Sequence, residues 1–335
     1  MDHAIEAADL VKTYPGDVRA LDGLGFEVET GTVFGMLGPN GAGKSTTVKI
    51  LTTLSRPDAG RAAVAGFDVA ERPNDVRRAI GVVAQRSGVD REATGRENLR
   101  LQGRLFGMGG HPLELRVSEL LERLGLSEAA ERIAKTYSGG MQRRLDIALG
   151  LVHHPTVLFL DEPTTGLDPE VRADMWEMIT RLAADEGLTI FLTTHYLEEA
   201  DRLAGRLVIV DRGRIVAEGT PDELKGDLKG DAIVAELTDH HADGLVAGAL
   251  EPLIDVREVR VDGKTLHARS DDGARAVPAV LQALEAAGAP VASVTVSRPS
   301  LDDVYLRMTG RSFQAAESEA EAVAARRKER EEVRR

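Results

Sequence analysis

The run TVFGMLGPNGAGKST constrains this chain more than any other stretch. Gly38, Gly43, Lys44 and Ser45 stand in the order G-x-x-x-x-G-K-S, after a strand-like apolar run and before the helical TVKILTTL. Glycines there let backbone N–H groups curl around phosphate oxygens, because no Cβ blocks the conformations the curl needs. Lys44 adds a point charge between terminal phosphates. The Ser45 hydroxyl is a hard oxygen donor suited to Mg²⁺. A glycine-rich turn with an incidental lysine is the plain alternative, and the flanking strand and helix weigh against it.

A second run, TVLFLDEP, ends four apolar residues in Asp161 and Glu162. A carboxylate at the carboxyl end of a buried parallel strand faces the ligand crevice. Asp161 suits the Mg²⁺ shell, and Glu162 is placed to polarise a water against the terminal phosphate. Further apolar runs, IGVVA, LTIFLTT and RLVIVDRGRIVAEG, alternate with amphipathic segments such as ELRVSELLERLGL and DMWEMITRLAADEG. That alternation predicts an α/β domain with a mostly parallel sheet, and the DRG turn at Asp211–Gly213 suits a hairpin.

Composition narrows the class. The chain has 335 residues, 42% hydrophobic and 29% charged, which is a globular and not a disordered balance. The net charge of −13 argues against a general nucleic-acid binder. With no cysteine, disulfides, zinc–thiolate sites and thiol nucleophiles are excluded. The opening MDHAIEAADLVKTYPG has acids and no apolar run, so no secretory signal is expected. No stretch approaches the roughly 18 apolar residues of a membrane span. A cytosolic location is the default, with any membrane contact made through a partner.

The run YSGGMQRRLDIALG poses a question. Ser138, Gly139 and Gly140 stand at the start of a predicted helix, where N–H groups, a hydroxyl and the positive dipole end suit phosphate. A plain N-cap with a flexible glycine pair is the bland reading, and it is compatible with phosphate binding.

The motifs Gly38–Thr46, the Gln85 strand end, Tyr137–Gln142, Asp161-Glu162, TTGLD and His195 follow one another in that order. Together, over roughly residues 4–224, they resemble the ATP-binding subunit of an ABC transporter. The YSGGM signature and RPSLDDVYLRMTGR at Arg298–Arg311 make the chain similar to the daunorubicin-resistance type of drug-export ATPase. The resemblance implies the P-loop NTPase fold of the ABC ATPase type, with a helical subdomain over about residues 91–135 that meets a membrane subunit. It implies ATP and Mg²⁺ as ligands, with Gly38, Pro39, Asn40, Gly41, Ala42, Gly43, Lys44, Ser45 and Thr46 around the phosphates. It implies Tyr14 stacked on adenine, Gln85 reaching Mg²⁺ and the attacking water, and His195 on the γ-phosphate. It also implies a head-to-tail homodimer in which Ser138, Gly139 and Gly140 grip the partner's nucleotide, with Asp168 at the interface. Met141 stands where the commonest signature has glutamine, while the serine and glycines expected to meet phosphate are retained.

The function implied is the ATP-hydrolysing motor of an exporter for drugs or other hydrophobic substrates. It works with a separate polytopic permease and without nucleic acid, on the cytoplasmic face of the membrane. Two other readings stand beside it: a soluble ABC ATPase acting on nucleic acid or ribosomes, and the ATPase of an importer. The chain has neither a long coiled coil nor a second ATPase half, which weighs against the first.

After TPDELKGDLKG the texture changes, and the boundary is expected at Lys225–Gly230, closing a domain of residues 1–224. Residues 231–311 read as strand (Ala232–Leu237), helix (Ala242–Leu250), strand (Ile254–Val261), an Asp262-Gly263 turn, strand (Lys264–Ser270), helix (Ala274–Ala287) and strand (Val291–Ser297). That βαββαβ order predicts a small α+β domain of ferredoxin-like type. Nothing in it has catalytic or metal-site spacing, and His240 and His241 read as solvated. Residues 312–335 are rich in Ala, Glu and Arg and predict a charged helix or a disordered tail.

Overall fold

The computed structural model describes residues 3–239 and 243–332. The chain divides into two compact units, Met1–Glu218 and Gly219–Arg335.

The first unit opens on a long antiparallel pair, β1 (His3–Tyr14) and β2 (Val18–Glu29). The central sheet starts at β3 (Val33–Leu37), followed by α1 (Lys44–Leu51). Strands β4 (Ala59–Val64) and β5 (Phe67–Asp68) join the first pair in the order β2-β1-β4-β5. The chain then runs through α2 (Pro73–Ala79), β6 (Ile80–Val83), α3 (Gly95–Leu105), α4 (Gly110–Arg123) and α5 (Gly139–Leu151). It continues through β7 (Val157–Asp161), α6 (Pro169–Glu186), β8 (Thr189–Thr194), α7 (Leu197–Leu203), β9 (Arg206–Asp211) and β10 (Arg214–Gly219). The second sheet has the order β10-β9-β3-β8-β7-β6, parallel from β9 through to β6.

Apolar runs at β7 and β8 form strands because both sheet faces are covered, and every β8 residue is buried. The chain has only seven Phe. Four of them gather in one place: Phe26 stacks on Phe34 at 5.3 Å, Phe34 on Phe191 at 5.8 Å, and Phe159 meets Phe191 at 5.5 Å. A separate apolar cluster joins α3 and α4 to α5 and α6 through Leu99, Leu113, Leu120, Ile147 and Met175. Helix α3 begins with a reciprocal cap: Thr94 Oγ1 accepts from the Glu97 N–H, and the Thr94 N–H donates to Glu97 Oε2. The helices α3 and α4 and two short 3₁₀ turns occupy the predicted helical segment.

The second unit starts with α8 (Pro221–Gly226), then β11 (Asp231–Leu237), α9 (Asp243–Leu250), β12 (Arg257–Asp262) and β13 (Thr265–Ser270). It goes on to α10 (Gly273–Ala286), β14 (Val291–Ser297), α11 (Leu301–Thr309) and α12 (Phe313–Glu332). The sheet is antiparallel with the order β12-β13-β11-β14, which is the ferredoxin-like arrangement of a βαββαβ chain. Three details differ from the sequence reading. Helix α8 packs against α11, so the unit begins at Gly219 and not after Lys225–Gly230. Strand β12 begins at Arg257 and not Ile254, which is 99% exposed. Asp262 still pairs with Thr265, which moves the two-residue turn to Gly263-Lys264. His240, His241 and Ala242 lie outside the described residues. The tail is helical through Glu332, anchored by buried Phe313 and Ala316.

Candidate functional site

The Gly38–Thr46 loop leaves the carboxyl end of β3 and enters α1. Gly41 and Gly43 have φ of 79° and 114°, in the region only glycine adopts freely. A Cβ on Gly43 would lie 2.7 Å from the Ala20 carbonyl oxygen, so the loop is also pressed against β2. Lys44 is buried inside the curl, and its Nζ donates to the carbonyls of Gly38 (2.6 Å) and Pro39 (3.2 Å).

At the end of β7 the backbone turns sharply. Glu162 sits at φ 49°, left-handed for a residue with a Cβ, a strain of order 1–3 kcal/mol that surrounding contacts must hold. Its N–H donates to the Thr193 carbonyl and hydroxyl, both at 3.1 Å. The turn aims its carboxylate at three other segments. Oε1 lies 3.5 Å from Lys44 Nζ and 3.4 Å from His195 Nδ1. Oε2 accepts from Gln85 Nε2 at 3.1 Å and from Thr165 Oγ1 at 3.3 Å. Burial alone would raise the Glu162 carboxyl, but His195, Lys44 and Thr165 outweigh it and hold it below the ordinary glutamate range. The His195 ring approaches closely, though its buried Nδ1 is not aligned for a hydrogen bond.

Asp161 is the neighbouring group. Its Oδ1 accepts from Thr193 Oγ1 at 2.6 Å and from Ser45 Oγ at 3.5 Å. Two adjacent hard oxygen ligands fit Mg²⁺. Among the described residues no group of three or more His, Asp or Glu side chains could hold a metal. Mg²⁺ is the cation that tolerates so sparse a protein shell, because phosphates and waters complete its octahedron.

Lys44, Ser45, Gln85, Asp161, Glu162 and His195 are therefore brought together by four separate segments. Outside the Gly38–Thr46 loop, the remaining predicted residues are not part of that cluster. Ser138 caps α5, its Oγ accepting from the Met141 N–H at 3.3 Å. Asp168 caps α6 by accepting from the Val171 N–H at 3.0 Å. These two caps are neighbours, since a Cβ on Gly140 would lie 2.5 Å from Val171 Cγ1. Tyr14 ends β1 half-buried, with Lys12 Nζ 5.9 Å above its ring, and no hydrogen bond joins it to the phosphate loop among the described residues.

The sequence reading passed over several residues of the surroundings. Thr193 bonds both Asp161 and Glu162. Glu199 is fully buried and accepts from Thr164 Oγ1 and Trp176 Nε1 at 2.8 and 3.0 Å. The Arg172 guanidinium lies over the Tyr196 ring at 4.1 Å, and Tyr196 meets the His195 ring at 4.2 Å in a tilted arrangement. Arg143 and Asp146 are charges on the buried face of α5. Their signal was a pair of charges three residues apart in an otherwise apolar helical stripe. Close by, β6, α3 and α5 wall a cleft of about 430 Å³ that includes Val82, Ala84, Gln102, Phe106 and His153.

A phosphate loop on a parallel sheet, paired strand-end carboxylates and a capped glycine signature together define a P-loop ATPase of the ABC type. Residues 21–165 match the ABC transporter family, and residues 219–309 match the family of ATP-binding protein DrrA1-3-like C-terminal domains. The chain is 46% identical over 332 residues to the daunorubicin resistance ATP-binding protein DrrA2 of Streptomyces coeruleorubidus, covering 96% of this chain and 99% of that one. It is 44% identical to the doxorubicin resistance ATP-binding protein DrrA of Mycobacterium tuberculosis, covering 92% and 94%. It is 40% identical to the Nod factor export ATP-binding protein I of Rhizobium sp. strain N33, covering 93% and 98%. Among solved structures, cbiO1 from Clostridium perfringens, part of the ABC transporter complex cbiONQ, superposes with a TM-score of 0.63 at 25% identity, covering 68% of this chain and 92% of that one. An ATP-binding cassette of an ABC transporter in its ADP conformation gives 0.59 at 29% identity, covering 67% and 93%. The chain belongs to the ATP-binding subunits of ABC transporters, in the daunorubicin-resistance type. It is an ATP-hydrolysing subunit of the exporter kind. Among the described residues no helix is long and apolar enough to cross a membrane.

Proposed function

We propose that this chain drives efflux of a drug or another hydrophobic compound through a separate polytopic permease, from the cytoplasmic face of the membrane. The observation that carries the reading is the convergence of Lys44, Gln85 and His195 on the Glu162 carboxylate. The drug-resistance names of its relatives support the substrate class.

The Gly38–Thr46 backbone binds the phosphates, Tyr14 stacks on the adenine, and Lys44 neutralises the terminal phosphates. Ser45, Asp161 and Gln85 hold Mg²⁺, which supplies charge neutralisation when bound. Glu162, ionised at neutral pH, orients a water against the γ-phosphorus and takes its proton as the new P–O bond forms. The bond to the ADP oxygen breaks in the same displacement, and His195 contacts the γ-phosphate. Two copies stack head to tail, so that Ser138, Gly139 and Gly140 of each chain meet the nucleotide of the other, with Asp168 beside them. The helical segment of residues 91–135, with its cleft, receives the permease.

The test is Glu162→Gln. It keeps one acceptor oxygen and removes the base, so ATP binding persists while turnover falls by about 10²–10⁴. Unchanged turnover would overturn the assignment.

A further inference from the structure

Two charged side chains of α5 are buried beside the site and touch its backbone but none of its side chains. Arg143 is 8% exposed and Asp146 is 6% exposed. Charges so placed are costly unless their hydrogen bonds are satisfied. Arg143 donates from all three nitrogens: Nε to the Pro163 carbonyl at 2.8 Å, Nη1 to Ala84 at 2.7 Å and Nη2 to Asp161 at 3.1 Å. Ala84 immediately precedes Gln85, while Asp161 and Pro163 flank Glu162. One turn further along, Asp146 Oδ1 accepts from Ser87 Oγ at 3.1 Å and from the Gly88 N–H at 2.9 Å. Together the two side chains bracket the backbone of Gln85, and Arg143 alone brackets that of Glu162.

We propose that Arg143 and Asp146 are positioning residues for ATP hydrolysis, fixing the peptides that carry Gln85, Asp161 and Glu162 to the helix that begins at Ser138. This rests on the site reading given above. A planar guanidinium fixes three carbonyls of two separate segments in one relative geometry, which the swivelling ammonium of a lysine cannot do. Helix α5 carries the Ser138–Gly140 cap at its start and Arg143 one turn later. A rigid shift of α5 at the partner's nucleotide therefore moves the backbone of its own chain's Glu162. Each copy reads the neighbouring ATP with the start of α5 and sets its own water geometry one to two turns further along the same helix.

The test compares Arg143→Met, Arg143→Lys and Asp146→Asn in the full-length chain, with steady-state kcat and KM for MgATP, ATP binding and thermal unfolding measured together. Misplacing a reacting group by about 1 Å costs up to about 10²-fold. Arg143→Met should lose about 10- to 100-fold in kcat per folded molecule, with KM and ATP affinity within about three-fold of wild type. Arg143→Lys should recover part of that loss, and Asp146→Asn should show a smaller kcat defect at unchanged KM. A purely structural bolt gives a lower unfolding temperature with full kcat per folded molecule, and that result overturns the proposal. If Arg143→Met does not fold, the same kcat-without-KM split in the other two variants decides the matter. Glu162→Gln serves as the control. If it hydrolyses ATP normally, the site assignment itself fails. If it is dead while Arg143→Met turns over at the wild-type rate, only the positioning inference fails.

Discussion

Glu162 sits between two opposing effects. Burial pushes its carboxyl toward neutrality, and the cation and imidazole around it pull the other way and win. It therefore stays ionised at neutral pH, as the proposed role of holding a water requires. Asp302 of the second unit is the opposite case. Burial and the carboxylates of Asp303 and Asp262 push it up, against the Phe313 N–H and His267. An acid whose folded pKa lies above its ordinary 3.8 costs nothing below that value. It destabilises the fold as pH rises through the folded pKa, and by a constant amount beyond. Asp302→Asn keeps the acceptor for Phe313, which donates to Oδ1 at 3.0 Å, and removes the charge. The substitution should raise the unfolding temperature near pH 8, with the gain vanishing below about pH 4. A shift of equal size at every pH would show that the charge is not the cause.

Among the elements, α5 and α6 meet where there is room only for hydrogen. A methyl on Gly140 would lie 2.5 Å from Val171 Cγ1, and Val171 is β-branched and stiff at χ1. Gly140→Ala should cost about 1–3 kcal/mol of stability by overpacking, and Val171→Ala in the same chain should return much of it. Denaturant midpoints of the two single variants and the double variant check this; a Gly140→Ala protein as stable as wild type would contradict the packing account. The same elements show what was legible in the chain. Strands β7 and β8 were readable because strands buried on both faces become unbroken apolar runs. The β1–β2 pair and its neighbours β4 and β5 were not picked out, since register shifts between Ala7 and Leu10 and around Val11 break the period-two pattern. At the site, the meeting of Lys44, Ser45, Asp161 and Glu162 was legible because a G-x-x-x-x-G-K-S loop and a strand-end carboxylate pair are recognisable patterns in the sequence. Thr193 and Arg143 were not. Thr193 works from a neighbouring strand, and Arg143 acts on carbonyls, which carry no sequence.

At the level of the whole molecule, one chain carries one phosphate loop and one signature. The signature residues form no hydrogen bond or ion pair with the Glu162 cluster of their own chain among the described residues. In the proposed dimer, an isologous pair of copies would bring each signature to the other's loop. This composition has a direct test. Glu162→Gln inactivates a chain's own loop side, and Ser138→Arg inactivates the signature it lends. Each variant alone should be inactive. Mixed in equal amounts, half of the randomly formed dimers pair one with the other, and each of these holds one site with an intact Glu162 and an intact Ser138. ATP hydrolysis should then reappear at up to about one quarter of the wild-type rate. A mixture as silent as its two parents would contradict a site shared between two copies.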